Sequence, residues 1–229
     1  SDISLGDLMK QLIIERMNNV SFNCMFMNDE FLIMGSDSRE TFADGTYNDN
    51  RQKTFVNTQQ KLCWSYTGLT KLNGIDNIEI INIIMNSPTP IIDKLQLIEH
   101  IMCYETGQYY QNYKSDSIFD LLIGKFTGSH FLAYILEVKN GKSHIKVNKE
   151  YSSEDGDFYE ASGVYTEIIH QLNMNEIYTH PVQAINNLIS HCKELSQSTD
   201  KSVGGKNYIV FMKKDGSIST YIDGKITII

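Results

Sequence analysis

Two apolar runs set back to back, Val20–Met27 and Glu30–Ser36, constrain this chain more than any other feature. Asn28-Asp29 between them suits a tight turn, so the pair reads as a β-hairpin. A hairpin puts Ser21, at the start of the first run, beside Asp37, just after the second. The polar, turn-rich segment Thr41 to Arg51 then leads to Lys53, which a following strand can bring to the same end. A hydroxyl, a carboxylate and an amine, evenly spaced along the chain, thus converge on one place. A carboxylate that ends an apolar strand must find a partner, and Lys53 is the candidate.

The remaining elements follow from periodicity and turn chemistry. Leu5 to Met17 reads as a helix with a narrow apolar stripe of Leu5, Leu8, Leu12 and Ile13. Lys53–Asn57 and Lys61–Tyr66 read as a second hairpin closed by Thr67-Gly68-Leu69-Thr70. Helices are expected over Ile75 to Met85, ended by Ser87-Pro88-Thr89-Pro90, and over Ile92 to Tyr104. Tyr109 to Ser117 is a polar link. Strands Phe119–Phe126 and Phe131–Lys139 follow, and Asn140-Gly141 signals a hairpin into Ser143–Asn148. After the turn cluster Ser152 to Asp157 and the strand Phe158–Ser162 come helices Val164 to Leu172 and Pro181 to Leu195, with Pro181 suited to a first helical residue. Three strands close the chain: Tyr208–Lys213, Ser217–Ile222 and Lys225–Ile229. No proline- or serine-rich linker divides the sequence. The order predicts an α+β fold with an N-terminal helix in residues 1–19. A single four-layer αββα sandwich then spans 20–229, with helix pairs outside two facing sheets.

Composition narrows the function. The 229 residues carry 20 Lys and Arg against 28 Asp and Glu, a net charge of −8. Acidity of this size argues against nucleic acid or an anionic membrane as the main partner. No run of 18 apolar residues is long enough to span a bilayer. The first residues lack the basic region and apolar core of a signal peptide. Four scattered cysteines, Cys24, Cys63, Cys103 and Cys192, sit in apolar runs with no C-x-x-C pair, as buried thiols of a reducing, cytoplasmic compartment do. The six histidines have no close ligand spacing, so neither a metal nor another cofactor is expected.

The layout resembles the proteasome subunits and bacterial HslV-type peptidases, which are N-terminal-nucleophile hydrolases. Gly35-Ser36-Asp37-Ser38-Arg39 resembles the D-S-R segment after the family's second strand. Lys53 stands where the family's catalytic lysine stands, and Ser21 where its nucleophilic threonine stands. Ala161-Ser162-Gly163 resembles a G-S-G turn whose serine assists the nucleophile, and Asp200 with Gly204-Gly205 resembles a late carboxylate and double glycine. The resemblance implies catalytic roles for Ser21, Asp37, Lys53, Ser162 and Asp200, and an oxyanion-binding backbone N–H near Gly68. It also implies that the α-amine of Ser21, freed by autolysis, is the base, because a hydroxyl is a poor nucleophile at its ordinary pKa. A peptide or protein substrate and a homo-oligomer are implied too. The pattern departs from the family at Val20, where glycine is usual, and at Val203, where serine is usual.

Each residue also has a plain structural reading. Ser21 is equally a strand residue, Lys53 a strand-edge charge, Ser162 a helix cap and Asp200 a loop acid. Three functions follow. One is an amide-bond hydrolase whose Ser21 is released. The second is a non-catalytic scaffold subunit that keeps its N-terminal helix. The third is a non-proteolytic hydrolase or transferase on the same fold that acts on a small amide.

Overall fold

A computed structural model describes residues 21–42, 44–72, 74–109, 119–139 and 144–229. The expected N-terminal helix, the link 110–118 and the turn at Asn140-Gly141 lie outside the described residues.

The opening hairpin forms as its sequence requires. Strand β1 (Phe22–Met27) pairs antiparallel with β2 (Phe31–Ser36), with Asn23 opposite Ser36 and Met27 opposite Leu32. Asn28 makes the turn: its side-chain Oδ1 accepts from the backbone N–H groups of Glu30 and Phe31 at 2.9 Å each. Both strands are buried on both faces. They become the interior of a six-stranded sheet completed by β12 (Phe158–Gly163) next to β1 and by β13 (Tyr208–Lys213), β14 (Ile218–Ile222) and β15 (Lys225–Ile226) beyond β2. The second hairpin, β5 (Thr54–Asn57) with β6 (Leu62–Gly68), belongs to a five-stranded sheet with β9 (Phe119–Phe126), β10 (Phe131–Lys139) and β11 (His144–Ser152).

Three apolar clusters hold these elements together, and strand alternation decides which residue joins which. On β1, Phe22, Cys24 and Phe26 pack outward against the helix α4 (Pro181–Gln197), through Ile185, Leu188, Ile189 and Cys192. Met25 and Met27 point the other way and meet Cys63, Leu122 and Phe131 of the five-stranded sheet. On the far face of that sheet, Trp64, Tyr66 and Phe119 pack against α1 (Asn77–Asn86) and α2 (Ile91–Tyr109), through Ile78, Ile81, Leu95 and Ile98. Asp76 caps α1 by accepting from Glu79 N–H, and Pro181 begins α4.

The expected regular four-layer αββα sandwich is corrected. The described residues form a mixed fold dominated by antiparallel strands: the two large sheets plus two two-stranded ribbons, β3 (Glu40–Thr41) with β4 (Tyr47–Asn48) and β7 (Lys71–Leu72) with β8 (Ile75–Asp76). Helices are few. The segment expected as a helix over Val164 to Leu172 is only a 3-10 turn, Thr166–Gln171. The cause is local: Tyr165 enters it in the left-handed region at φ 56°, and Val164, Thr166, Ile168 and Ile169 are β-branched, which disfavours the α-helix. A short helix α3 (Met174–Thr179), capped by the Asn173 side chain, follows instead.

Candidate active site

Ser21, Asp37 and Lys53 meet at one end of the space between the two sheets. Ser21 precedes β1 and Asp37 follows β2, so the hairpin register sets them together. Asp37 N–H donates to the Phe22 carbonyl at 3.2 Å, and Phe22 N–H donates to Asp37 Oδ1 at 3.1 Å. Lys53 lies just before β5, on the facing sheet, and reaches across. Its Nζ donates to Ser21 Oγ at 2.6 Å, to Asp37 Oδ1 at 3.0 Å and to the Arg39 carbonyl. All three side chains are sealed: Ser21 is 2% exposed, Asp37 and Lys53 0%. Burial lowers the Lys53 pKa from its ordinary value, and the Asp37 carboxylate opposes that shift.

Asp37 is held by backbone as well as by lysine. Its Oδ2 accepts from Arg39 N–H at 3.1 Å and from Gly204 N–H at 3.0 Å. A carboxylate with three backbone donors and one ammonium has the partners its burial demands. The double glycine fits this contact. A Cβ at Gly205, whose φ is +74°, would strike Ser38 Oγ and the Asp49 carbonyl. Arg39 packs beneath Gly204, donates to both Asp49 oxygens at 2.6 and 2.8 Å and to the Lys201 carbonyl at 3.0 Å, and lies 3.7 Å from the Tyr47 ring centroid.

The backbone of Ser21 is itself unusual. Its φ is 89°, a region that non-glycine residues avoid at a cost of roughly 1–3 kcal/mol. Gly163 and Val164 hold it there. Val164 N–H donates to the Ser21 carbonyl at 2.9 Å, and a Cβ at Gly163, at φ +90°, would fall on that carbonyl.

Other candidate residues sit around this centre without touching Ser21 Oγ in the described contacts. Ser162 lies opposite Asn23 across β12 and β1, donates to Asn23 Oδ1 and shares a 3.0 Å hydrogen bond with Thr67. Asp200 Oδ1 accepts from Ser196 Oγ at 2.9 Å, Ser202 N–H at 3.0 Å and Ser202 Oγ at 2.7 Å. Gly68 ends β6 with φ 111°, next to Thr67; no hydrogen bond from it to Ser21 is among the described contacts.

Sequence reasoning missed a set of polar residues lining the same end. Asn23 Nδ2 donates to the Ser65 carbonyl at 3.0 Å, and Thr54 Oγ1 bonds Ser36 Oγ at 2.7 Å and Ser65 Oγ at 2.9 Å. The signal was present in the alternation: Asn23, Ser36, Ser65 and Thr67 each occupy an inward position on an otherwise apolar strand. Cys24 alternates to the opposite face, and burial pushes its thiol up to about 12. Among the described residues no group of three His, Cys, Asp or Glu could hold a metal ion. None of the described helices is long and apolar enough to cross a membrane.

No family model matches the chain, and no curated protein matches it. A solved structure does: the Gly-1 mutant of Anbu from Hyphomicrobium sp. strain MC1, with a TM-score of 0.57 and 10% identity, covering 88% of this chain and 86% of that one. At this identity the likeness shows the fold alone. Membership of the proteasome and HslV-type peptidase family, expected from the motifs, is therefore corrected to a distant similarity of fold with Anbu.

Proposed function

We propose that this protein is an amide-bond hydrolase of N-terminal-nucleophile type, acting on peptides through Ser21 after cleavage of the Val20–Ser21 bond. The observation that carries the reading is the 2.6 Å hydrogen bond from buried Lys53 Nζ to Ser21 Oγ, with the same Nζ held on Asp37 at 3.0 Å. A fold similar to that of Anbu, an Ntn-hydrolase-like protein, supports it. The chemistry assigns a task to each group. The freed α-amine of Ser21 takes the hydroxyl proton as Oγ attacks the substrate carbonyl, and then passes it to the leaving amine. Lys53 supplies the positive field that favours the developing alkoxide, and Asp37 fixes Lys53. Backbone N–H groups near Gly68 stabilise the oxyanion. Water then hydrolyses the ester on Ser21. Ser162 braces the start of β1 through Asn23. We further assign the chain to a homo-oligomer, as the Anbu-like fold suggests, and to the cytoplasm, as the buried free thiols Cys24, Cys63 and Cys192 suggest.

One observation favours the second reading, a non-catalytic subunit: Ser21 is almost fully covered, and Val20 precedes it in the chain. Mass spectrometry separates the two. The hydrolase yields a fragment that begins at Ser21 and cleaves fluorogenic peptides. Ser21→Ala abolishes both, with turnover falling by a factor on the order of 10⁴ or more. A full-length mass after long incubation, with no peptide cleavage, overturns the first reading.

A further inference from the structure

Among the described contacts, the hydrogen bond to Asp37 that comes from far along the chain is that from Gly204 N–H, 167 residues away. The turn that delivers it is built from the end of α4. Ser196, fully buried in the last turn of that helix, uses its hydroxyl twice. Its Oγ accepts from Val203 N–H at 2.9 Å and donates to Asp200 Oδ1 at 2.9 Å. The carbonyl of Ser196 also takes the N–H groups of Thr199 at 3.1 Å and Lys201 at 2.8 Å. Asp200 in turn grips Ser202 by N–H and hydroxyl. Val203 is thus fixed one residue ahead of Gly204, whose carbonyl accepts from Ser38 N–H at 3.1 Å while its N–H meets Asp37. Two of these contacts, joined by the Val203–Gly204 peptide bond, run from the helix end to the site carboxylate.

We propose that Ser196 is a positioning residue for the site: through Val203 and Asp200 it sets the turn that aims Gly204 N–H at Asp37 and so keeps that carboxylate on Lys53. Its catalytic meaning rests on the hydrolase reading; the positioning itself does not. The role of Asp200 follows. Its described partners are Ser196, Ser202 and Tyr165, none of them Ser21, so it acts as the staple of the turn. Burial pushes the Asp200 carboxyl up, but the hydrogen bonds from Ser202, Ser196 and Tyr165 outweigh it and hold its pKa below the ordinary value. Lys53 is faced by Asp37 and Glu40, which favour its charged form, and by Arg39, which opposes it.

The test needs no enzymatic activity, so its failure is distinct from failure of the hydrolase reading. Amide exchange at Gly204 and the titration of Lys53 Nζ are followed by NMR in the full chain, in Ser196→Ala and in Asp200→Ala. Both variants are expected to speed Gly204 exchange by about tenfold or more, while the Phe22 and Arg39 amides on the same carboxylate change little. Both are expected to lower the Lys53 pKa further, because Asp37 then holds the ammonium less closely. Asp200→Asn keeps the Oδ1 acceptor and is expected to match the unaltered chain. If Ser196→Ala does not fold, Asp200→Ala decides. Gly204 exchange and Lys53 titration unchanged in a folded variant would overturn the proposal. So would an equal acceleration at Phe22, Arg39 and Gly204, which marks a general loss of stability.

Discussion

From Ser21, just ahead of β1, the residues facing the second sheet run Ser21, Asn23, Met25, Met27; along β2 they run Ser36, Met34, Leu32; along β6, Thr67, Ser65, Cys63. The same strands therefore line a polar end and an apolar end of one space. At the apolar end the sheets are joined by buried area, about 1.5–3 kcal/mol for each large side chain. At the polar end they are joined by directed bonds: Lys53 to Asp37 and Ser21, Thr54 to Ser36 and Ser65, Asn23 to the Ser65 carbonyl. Each neutral bond of this kind contributes only about 0.5–1.5 kcal/mol net and each charged one about 1.5–3, yet either costs more if one partner is removed. Apolar side chains of the same volume would stabilise that end at least as well. A packed core therefore does not require the hydroxyls, amide and ion pair found there. The contrast also says where single changes hurt: volume-conserving swaps of the methionines are tolerated at the apolar end, and removal of one member of the polar set is not.

The largest expected effect tests that asymmetry directly. Lys53→Met leaves Asp37 buried without its cation, and urea unfolding is expected to show a loss of about 3–5 kcal/mol. Met34→Leu, at the apolar end, is expected to cost under about 1.5 kcal/mol. Equal costs would erase the distinction. The pH dependence sharpens it. Burial puts the folded pKa of Lys53 below its unfolded value of about 10.4, so over the interval between the two the unfolded chain holds the extra proton. The cost of burying the ammonium is present at all lower pH and is relieved as pH rises through that interval. Lys53→Met is expected to abolish that rise.

An intermediate effect is expected where the apolar end is tightest. A Cβ at Gly124 would lie 2.7 Å from both Leu32 methyl carbons and 3.1 Å from Cys63 Sγ. Gly124→Ala is expected to cost about 1–3 kcal/mol through overpacking. Leu32→Ala removes the obstruction at a cost of its own, about 2–5 kcal/mol. In the double variant the new methyl group occupies space that Leu32 vacated, so the summed loss is expected to be smaller than the two separate losses. Simple additivity would show that the sheets shift apart freely there.

Much of this contrast was legible in the sequence because strand alternation has a strict period. The runs 20–27 and 30–36 gave the hairpin, the hairpin gave Ser21 beside Asp37, and β5 brought Lys53 across to them, as expected. The long-range parts were not legible. That Ser196 reaches Val203 and Asp200 depends on how α4 ends, which no local pattern encodes. Asp200 was expected as a site group because, with Gly204-Gly205, it resembles the late carboxylate of the peptidases; its described hydrogen bonds lie within its own turn and to the end of α4. The regular sandwich failed where β-branched residues and the left-handed Tyr165 turned an expected helix into a 3-10 turn. Family membership failed for a different reason: the five motifs are short, and the likeness found, at 10% identity, is one of fold alone.

The smallest effect belongs at the rim of the polar end, where Arg39 meets Asp49. The geometry is as good as that of the buried pair, with two hydrogen bonds of 2.6 and 2.8 Å, but 38% of the Asp49 side chain is exposed. Solvent screening limits such a pair to about 1 kcal/mol or less. The hydrogen bond from Arg39 holds the Asp49 pKa below its ordinary value, against the opposing effect of burial. A lowered carboxylate pKa stabilises the fold above the unfolded value of about 3.9, and that contribution is lost as pH falls through the folded one. Asp49→Asn is therefore expected to unfold slightly earlier than the unaltered chain in urea at neutral pH, and the two curves are expected to converge in acid. A gap at neutral pH as large as that of Lys53→Met would place Asp49 with the buried pair, and the polar end would then extend to the surface of the molecule.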